Sequence, residues 1–325
     1  MSENTISSSG ASTSPGGGWE RQVLERLAAE SLIEQRRARR WGIFFKLFLA
    51  AYLLLLLILF LAGGWGDRPL AKRYTALVDL DGVIEFGGDA SADNVITGLR
   101  AAFEDKGTVG VILRTNSPGG SPVQAAYIYD EIKRLQELYP EVPLYAVVGD
   151  ICASGCYYAV AGARKIYANP ASIVGSIGVL MDGFGFVDGM KKLGIERRLL
   201  TAGENKGMLD PFSPLDAKSR RHAETLLKEI HEQFIATVEE GRGEALKDDK
   251  DLFSGLFWTG DRARALGLID EFGSAGYVAR EVIGAEDIVD FTVQPGFFDR
   301  FARRLGTAMA RGLGTEILQR TPVMK

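Results

Sequence analysis

Histidine and cysteine are almost missing from this chain of 325 residues: it has His222, His231, Cys152 and Cys156, and no others of either type. So few imidazole and thiol groups leave no spacing suited to a zinc or other transition-metal site, and neither a metal nor an organic cofactor is expected. A large charge of one sign is missing too. Lys and Arg number 38 against 42 Asp and Glu, for a formal net charge of -4, and nothing in that balance points to nucleic-acid binding. The cysteines are four apart in a stretch that reads as helix, where two thiols on neighbouring turns of one rigid face make a poor disulfide. They are expected to stay unpaired as small buried packing residues; a cysteine nucleophile is the sharper alternative, but it lacks a nearby base.

One long apolar run is present. Residues 43–62 read IFFKLFLAAYLLLLLILFLA, with Lys46 as the single charge. About twenty such residues cross a hydrocarbon core of roughly 30 Å as a helix. Arg36, Arg37, Arg39 and Arg40 precede the run, and Lys46 can snorkel toward them, whereas Arg68, Lys72 and Arg73 are the early cations after it. That bias places the N-terminus in the cytoplasm and the rest of the chain beyond the inner membrane. The competing reading is a cleavable signal peptide cut near Leu61-Ala-Gly-Gly-Trp-Gly66, but the region before the run is long and a convincing small-x-small pattern is missing. The expected layout is a cytoplasmic tail at 1–42 (disordered over 1–18, then polar, helix-prone and basic), an anchor at 43–62, a linker at 63–73, a globular domain at 74–293 and a tail at 294–325. Within that last tail, Phe297 to Leu305 is amphipathic and suited to a membrane, a neighbour or the domain itself.

After the linker, strand-like and helix-like runs alternate. Tyr74 to Leu80, Val109 to Arg114, Pro143 to Val148, Lys165 to Asn169, Ser176 to Leu180 and Glu196 to Ala202 read as strands. Ala92 to Phe103, Val123 to Glu137 and Pro214 to Glu240 read as helices, the last with Leu226, Leu227, Ile230 and Phe234 facing inward. Such alternation predicts an α/β domain with a mainly parallel sheet and a single core.

Two segments carry chemistry. In Val147-Val-Gly-Asp-Ile-Cys-Ala-Ser154-Gly155 an apolar strand gives way to small residues that open a helix, which places a serine hydroxyl beside the free N–H groups of a helix start. Gly155 offers an amide to a developing oxyanion and leaves room for a substrate backbone; close packing of a small-residue helix on a sheet explains the segment equally well. Asn116-Ser-Pro-Gly-Gly120 also follows a strand, with Gly119 permitting the turn and Gly120 as a second donor, although an ordinary Pro-Gly turn would need no function. A serine without a histidine partner requires another base, and a lysine can serve. Lys165, Lys191, Lys192, Lys206 and Lys228 are all conceivable; Lys206 stands apart because it lies in a glycine-flanked loop, Gly203-Glu-Asn-Lys-Gly-Met-Leu-Asp-Pro211.

Asn-Ser-Pro-Gly-Gly at 116–120, Ala-Ser-Gly-Cys-Tyr-Tyr at 153–158, Gly-Ser-Ile-Gly-Val at 175–179 and the Lys206 loop ending in Asp210-Pro211-Phe212 occur in an order that resembles the signal peptide peptidase A family of serine proteases, in its short single-domain bacterial form. The resemblance runs from about Thr75 to Phe291. It implies a Clp protease/crotonase-like fold with Ser154 as nucleophile, Lys206 as general base, Ser176 orienting the lysine, and Gly120 and Gly155 as oxyanion donors. It also implies a homo-oligomer with sites assembled between neighbouring subunits, and remnant signal peptides in the membrane as substrates. A lysine base predicts a rate that rises from about pH 6 to about pH 9. Two other classes share these features in part: a crotonase-like acyl-CoA enzyme, and a membrane-tethered scaffold without catalysis.

Overall fold

The computed structural model describes residues 36–37, 39–58 and 73–294. The expectations for the N-terminal tail up to 35, for the end of the apolar run at 59–62, for the linker up to 72 and for the tail from 295 fall outside the described residues.

Two compact units divide the chain, residues 1–70 and 71–325. In the first, helix α1 (Arg39–Ile58) is long and apolar enough to cross a membrane. It starts four residues before the run read from the sequence, because Arg39 to Gly42 continue the helix at the basic end.

The second unit opens with three βα repeats. Strand β1 (Tyr74–Asp81) leads to α2 (Ala92–Glu104), β2 (Thr108–Ser117) to α3 (Pro122–Leu138), and β3 (Leu144–Ala153) to the short α4 (Gly155–Val160). In α2 the buried Val95, Leu99, Ala102 and Phe103 recur at helical spacing, and in α3 Ala125, Ile128, Ile132 and Leu135 do the same. Ser121 caps α3 by accepting the Gln124 N–H, Pro122 occupies the first turn, and the Gln124 side chain accepts the Ala92 N–H that opens α2, at 2.9 Å. Strands β4 (Lys165–Ala168) and β5 (Ile173–Gly175) follow, then an excursion carrying α5 (Val187–Lys192), the long α6 (Ala217–Arg242), β6 (Phe257–Thr259), α7 (Gly260–Ala265), β7 (Glu271–Phe272), α8 (Ala275–Tyr277) running into a π-helical stretch at Val278–Ile283, and β8 (Ile288–Asp290).

The eight strands make one sheet of order β6-β5-β3-β2-β1-β8, with β4 pairing β3 and β7. Every pairing is parallel except β5 with β6. Register explains the burial. Ala76, Val111 and Leu144 form one cross-strand row, Val78, Leu113 and Ala146 the next, and Leu80, Thr115 and Val148 a third, all facing the helices of the main core. Leu77, Ile112 and Val147 point the other way into a second, smaller cluster under Val278 and Ala279. The single core expected from sequence is therefore two, one on each face, as a parallel sheet requires.

Strand β3 changes neighbour along its length: Tyr145 to Val147 pair with β4, and Ile151 to Ala153 pair with β5. Between the two ladders the Gly149 carbonyl accepts the Ser172 hydroxyl at 2.5 Å. Helix α6 is anchored at its C-terminal end by Arg242, which is buried and donates to both Asp270 carboxylate oxygens at 3.0 Å and to the Gly267 carbonyl. Its N-terminal half differs from the expected inward stripe, since Phe234 is buried but Leu226, Leu227 and Ile230 are only half-buried. The expected strands at 176–180 and 196–202 are not formed; both segments belong to the excursion, where among the described residues no neighbouring strand supplies hydrogen bonds.

Candidate active site

Strands β2, β3 and β5 run parallel and end at the same edge of the sheet, so the loops that follow them meet there. After β2, the Ser117 hydroxyl accepts the Gly119 N–H at 3.1 Å and folds the glycine pair back on the strand. Ile84 pairs with this loop, donating to the Gly119 carbonyl at 2.8 Å and accepting the Ser121 N–H at 2.7 Å. Gly119 and Gly120 have φ of 100° and 147°, and a Cβ at Gly120 would fall 2.1 Å from the Ile84 carbonyl oxygen. Only glycine allows this approach.

Strand β3 delivers Ser154 with φ 54° and ψ -124°. A serine held at positive φ stores strain on the order of 1–3 kcal/mol. The conformation is stabilised by the Ser154 N–H donating to the Gly175 carbonyl at 2.8 Å and by the Tyr158 N–H donating to the Ser154 carbonyl at 3.0 Å. Helix α4 begins immediately afterwards, so the Gly155 amide lies in its first turn, where no carbonyl of the helix can reach it. A Cβ on Gly155 would stand 3.2 Å from the Gly120 nitrogen. The two amides expected as oxyanion donors therefore belong to backbones in contact. Ser176 has φ 55° and donates its N–H to the Leu256 carbonyl at 2.7 Å. Among the described residues Leu209, three positions after Lys206, is the third non-glycine residue with positive φ.

Ser154, Ser176, Gly120 and Gly155 line one cavity of about 630 Å³. Val179, Leu180, Ile230 and Phe234 supply apolar wall, and among the described residues no carboxylate, lysine or arginine lines it. Sequence reasoning missed His231, which also lines the cavity. Its Nε2 is 3.2 Å from the Ile177 carbonyl, an oxygen that can only accept, so the contact is a hydrogen bond in the tautomer that carries its proton on Nε2. The signal was present in the helical spacing of Ile230, His231 and Phe234 on α6.

Lys206 is not in this cavity. It is exposed, and among the described residues its side chain makes no hydrogen bond or ion pair. The excursion that carries it shows an apolar surface, with Leu180, Phe184, Leu193 and Leu200 at 79%, 80%, 75% and 95% exposure. Just after Lys206, Asp210 accepts the Ser213 hydroxyl and pairs with Arg197, contacts that lower its pKa. The other lysines considered are occupied or peripheral. Lys165 is held protonated by Glu271 at 2.8 Å, Lys228 lies 3.6 Å from Glu232, and Lys191 and Lys192 are exposed on α5. Four of the five expected residues thus meet within one chain, while the fifth lies on its surface.

The cysteines depart from expectation. Cys152 and Cys156 form a disulfide with Cα atoms 5.2 Å apart. The helix was expected to contain both, but Cys152 is in β3 and only Cys156 is in α4; the tight turn at Ser154 brings the strand end and the helix start to bonding distance. A cysteine nucleophile is excluded with it, because neither sulfur is a thiol. Among the described residues no group of three His, Cys, Asp or Glu side chains is arranged to hold a metal ion.

The family model for peptidase family S49 matches residues 137–287, a span that contains Ser154, Ser176 and Lys206. A Brucella abortus protein named as the Na(+)/H(+) antiporter NhaA is 42% identical over 228 residues, 67% of this chain but 31% of that protein, so the chain spans less than a third of that relative. A protein of Enterococcus faecium with the provisional name signal peptide peptidase SppA is 28% identical over 70% of the chain and 68% of its own length. One from Synechocystis, provisionally named a protease, is 30% identical over 65% of the chain and 73% of its own length. The α/β domain has the Clp protease/crotonase-like fold. With a relative matched over most of its length and a family model laid across the strand, turn and helix that carry Ser154, this chain belongs to peptidase family S49.

Proposed function

We propose that the protein is a membrane-anchored serine endopeptidase that cuts apolar peptides, among them remnant signal peptides left in the bilayer after export. The observation that carries this reading is the meeting of Ser154, Ser176, Gly120 and Gly155 on one cavity at the carboxyl edge of the sheet, with Val179, Leu180, Ile230 and Phe234 as its apolar wall. That apolar wall favours aliphatic side chains such as Leu or Ala. Helix α1 holds the domain to the membrane from which such peptides emerge, with the N-terminus cytoplasmic and the domain outside the inner membrane. The Cys152–Cys156 disulfide agrees with an oxidising compartment.

In this mechanism a neutral Lys206, oriented by the Ser176 hydroxyl, takes the proton of Ser154 as its Oγ attacks the peptide carbonyl. The oxyanion is received by the amides of Gly120 and Gly155, and the lysine then gives the proton to the leaving amine. Water, deprotonated by the same lysine, releases the acyl group and regenerates the serine. Lys206 comes from a neighbouring copy, a reading supported by its exposure and by the apolar surface around it.

The test is cleavage of a fluorogenic leucine-rich peptide by the detergent-solubilised protein, with Ser154→Ala and Lys206→Ala compared at equal folded content. Each substitution is expected to lower turnover by at least about a thousandfold. Turnover unchanged in both variants overturns the assignment.

A further inference from the structure

Given Ser154 as the nucleophile, we propose that the bond between Cys152 and Cys156 is a positioning device for the reaction: it holds the strand-to-helix turn in the shape that presents the Ser154 hydroxyl and the Gly155 amide, so that full turnover requires the oxidised pair. The cross-link encloses Ala153, Ser154 and Gly155 and nothing else. Both ends are fixed independently. Cys152 is registered against Ser117 on one side and Val174 on the other, in the middle of the sheet, and Cys156 belongs to a helix whose six residues are all buried. Both cysteines are fully buried.

The Gly155 N–H belongs to the peptide between Ser154 and Gly155, and the direction of that peptide is set by the ψ of Ser154. The two backbone hydrogen bonds at the turn use the Ser154 N–H and the Ser154 carbonyl, and neither uses the Gly155 amide. Backbone strain at a positive-φ serine favours relaxation toward negative φ, which would turn both hydroxyl and amide away from the cavity. A covalent tie across the turn opposes that relaxation. A cross-link closing so short a loop restricts the unfolded chain least among disulfides, so its effect belongs in turnover more than in stability.

The pair opens by thiol–disulfide exchange. A dithiol such as dithiothreitol supplies two electrons and two protons, the S–S bond becomes two thiols, and the reagent closes to its cyclic disulfide. Reduction therefore breaks the bond without replacing any side chain.

The experiment uses the full chain in detergent, with thiols counted after denaturation and with kcat and KM measured on the leucine-rich peptide. Protein never exposed to reductant is expected to show no free thiol. After reduction kcat is expected to fall about tenfold or more, the order of effect of disturbing one oxyanion donor, with KM within about twofold and with recovery on reoxidation. Cys152→Ala/Cys156→Ala is expected to have the lower kcat in either condition; if that variant does not fold, the reduced and reoxidised wild type decides. Free thiols in protein kept from reductant, or an unchanged kcat once both thiols are counted, overturns the proposal. Should no form cleave peptide, the Ser154 assignment falls. Hydrogen exchange of the amides at 154–157 then decides positioning separately: faster exchange on reduction supports it, and unchanged exchange overturns it.

Discussion

A single methyl group added to Gly155 tests the oxyanion geometry without touching the serine. Its Cβ would sit 3.2 Å from the Gly120 nitrogen and 3.5 Å from Ala125 Cβ, so the two loops must part by a few tenths of an ångström. Gly155→Ala is expected to lower kcat by about 10- to 1000-fold, with KM and melting temperature little changed; equal kcat would remove Gly155 from the proposed hole. Gly120→Ala is a different case, because the Ile84 carbonyl already fills the space. Residues of this kind were legible in the sequence, since a Ser-Gly after a small-residue strand end and a Pro-Gly-Gly after another are local signals. The disulfide was not, because its feasibility depends on a turn whose serine has positive φ, a conformation no residue pattern announces. Nor was His231, whose part in the cavity depends on how α6 crosses the loop at Ile177.

Among the elements, α2 and α3 are tied through Glu131, which accepts Arg134 at 2.7 Å and 2.9 Å and Arg100 at 2.7 Å while its own side chain is 8% exposed. The Arg134 contact, followed by that of Arg100, lowers the Glu131 pKa to about 2. A carboxylate more acidic in the folded than in the unfolded protein stabilises the fold at every pH above its unfolded value, near 4.5, and that contribution disappears as pH falls toward about 2. Because both arginines are half exposed, screening keeps the contribution on the order of 2 kcal/mol. Glu131→Gln is therefore expected to melt lower than wild type above about pH 5, with the gap closing toward pH 2; a gap independent of pH would assign the effect to packing. The helices α2 and α3 and the strands β1 to β3 were legible because each carries its own apolar period. Residues 196–202 have a strand's composition and no strand, since pairing is a property of two segments and among the described residues none is paired with them.

For the molecule as a whole, the proposed division of the site between copies makes a direct demand on mixtures. Ser154→Ala and Lys206→Ala chains, each expected to be inactive alone, are expected to regain a substantial fraction of wild-type turnover when unfolded and refolded together, because some interfaces then combine an intact serine with an intact lysine. No recovery in a mixture shown to contain both chains would place the dyad within one subunit. The fold class and the long apolar helix were legible from alternation and from the apolar run, both properties summed over many residues. The second core was not, because it is built under Val278 and Ala279, about two hundred residues from Leu77, and chain separation of that order leaves no mark on a local pattern. That same long closure decides how the domain completes itself during synthesis. Strand β1 has β2 on one side and β8 on the other, and β8 lies at residues 288–290, so among the described strands the first made waits for the last. Until then its outer edge, from Thr75 to Leu77, presents unpaired backbone to any strand that arrives. In the proposed topology the amino end stays in the cytoplasm and β1 crosses well ahead of β8, so that edge is exposed for nearly the whole passage, and the interval before residue 290 emerges is the time when the nascent protein most needs shielding from its neighbours.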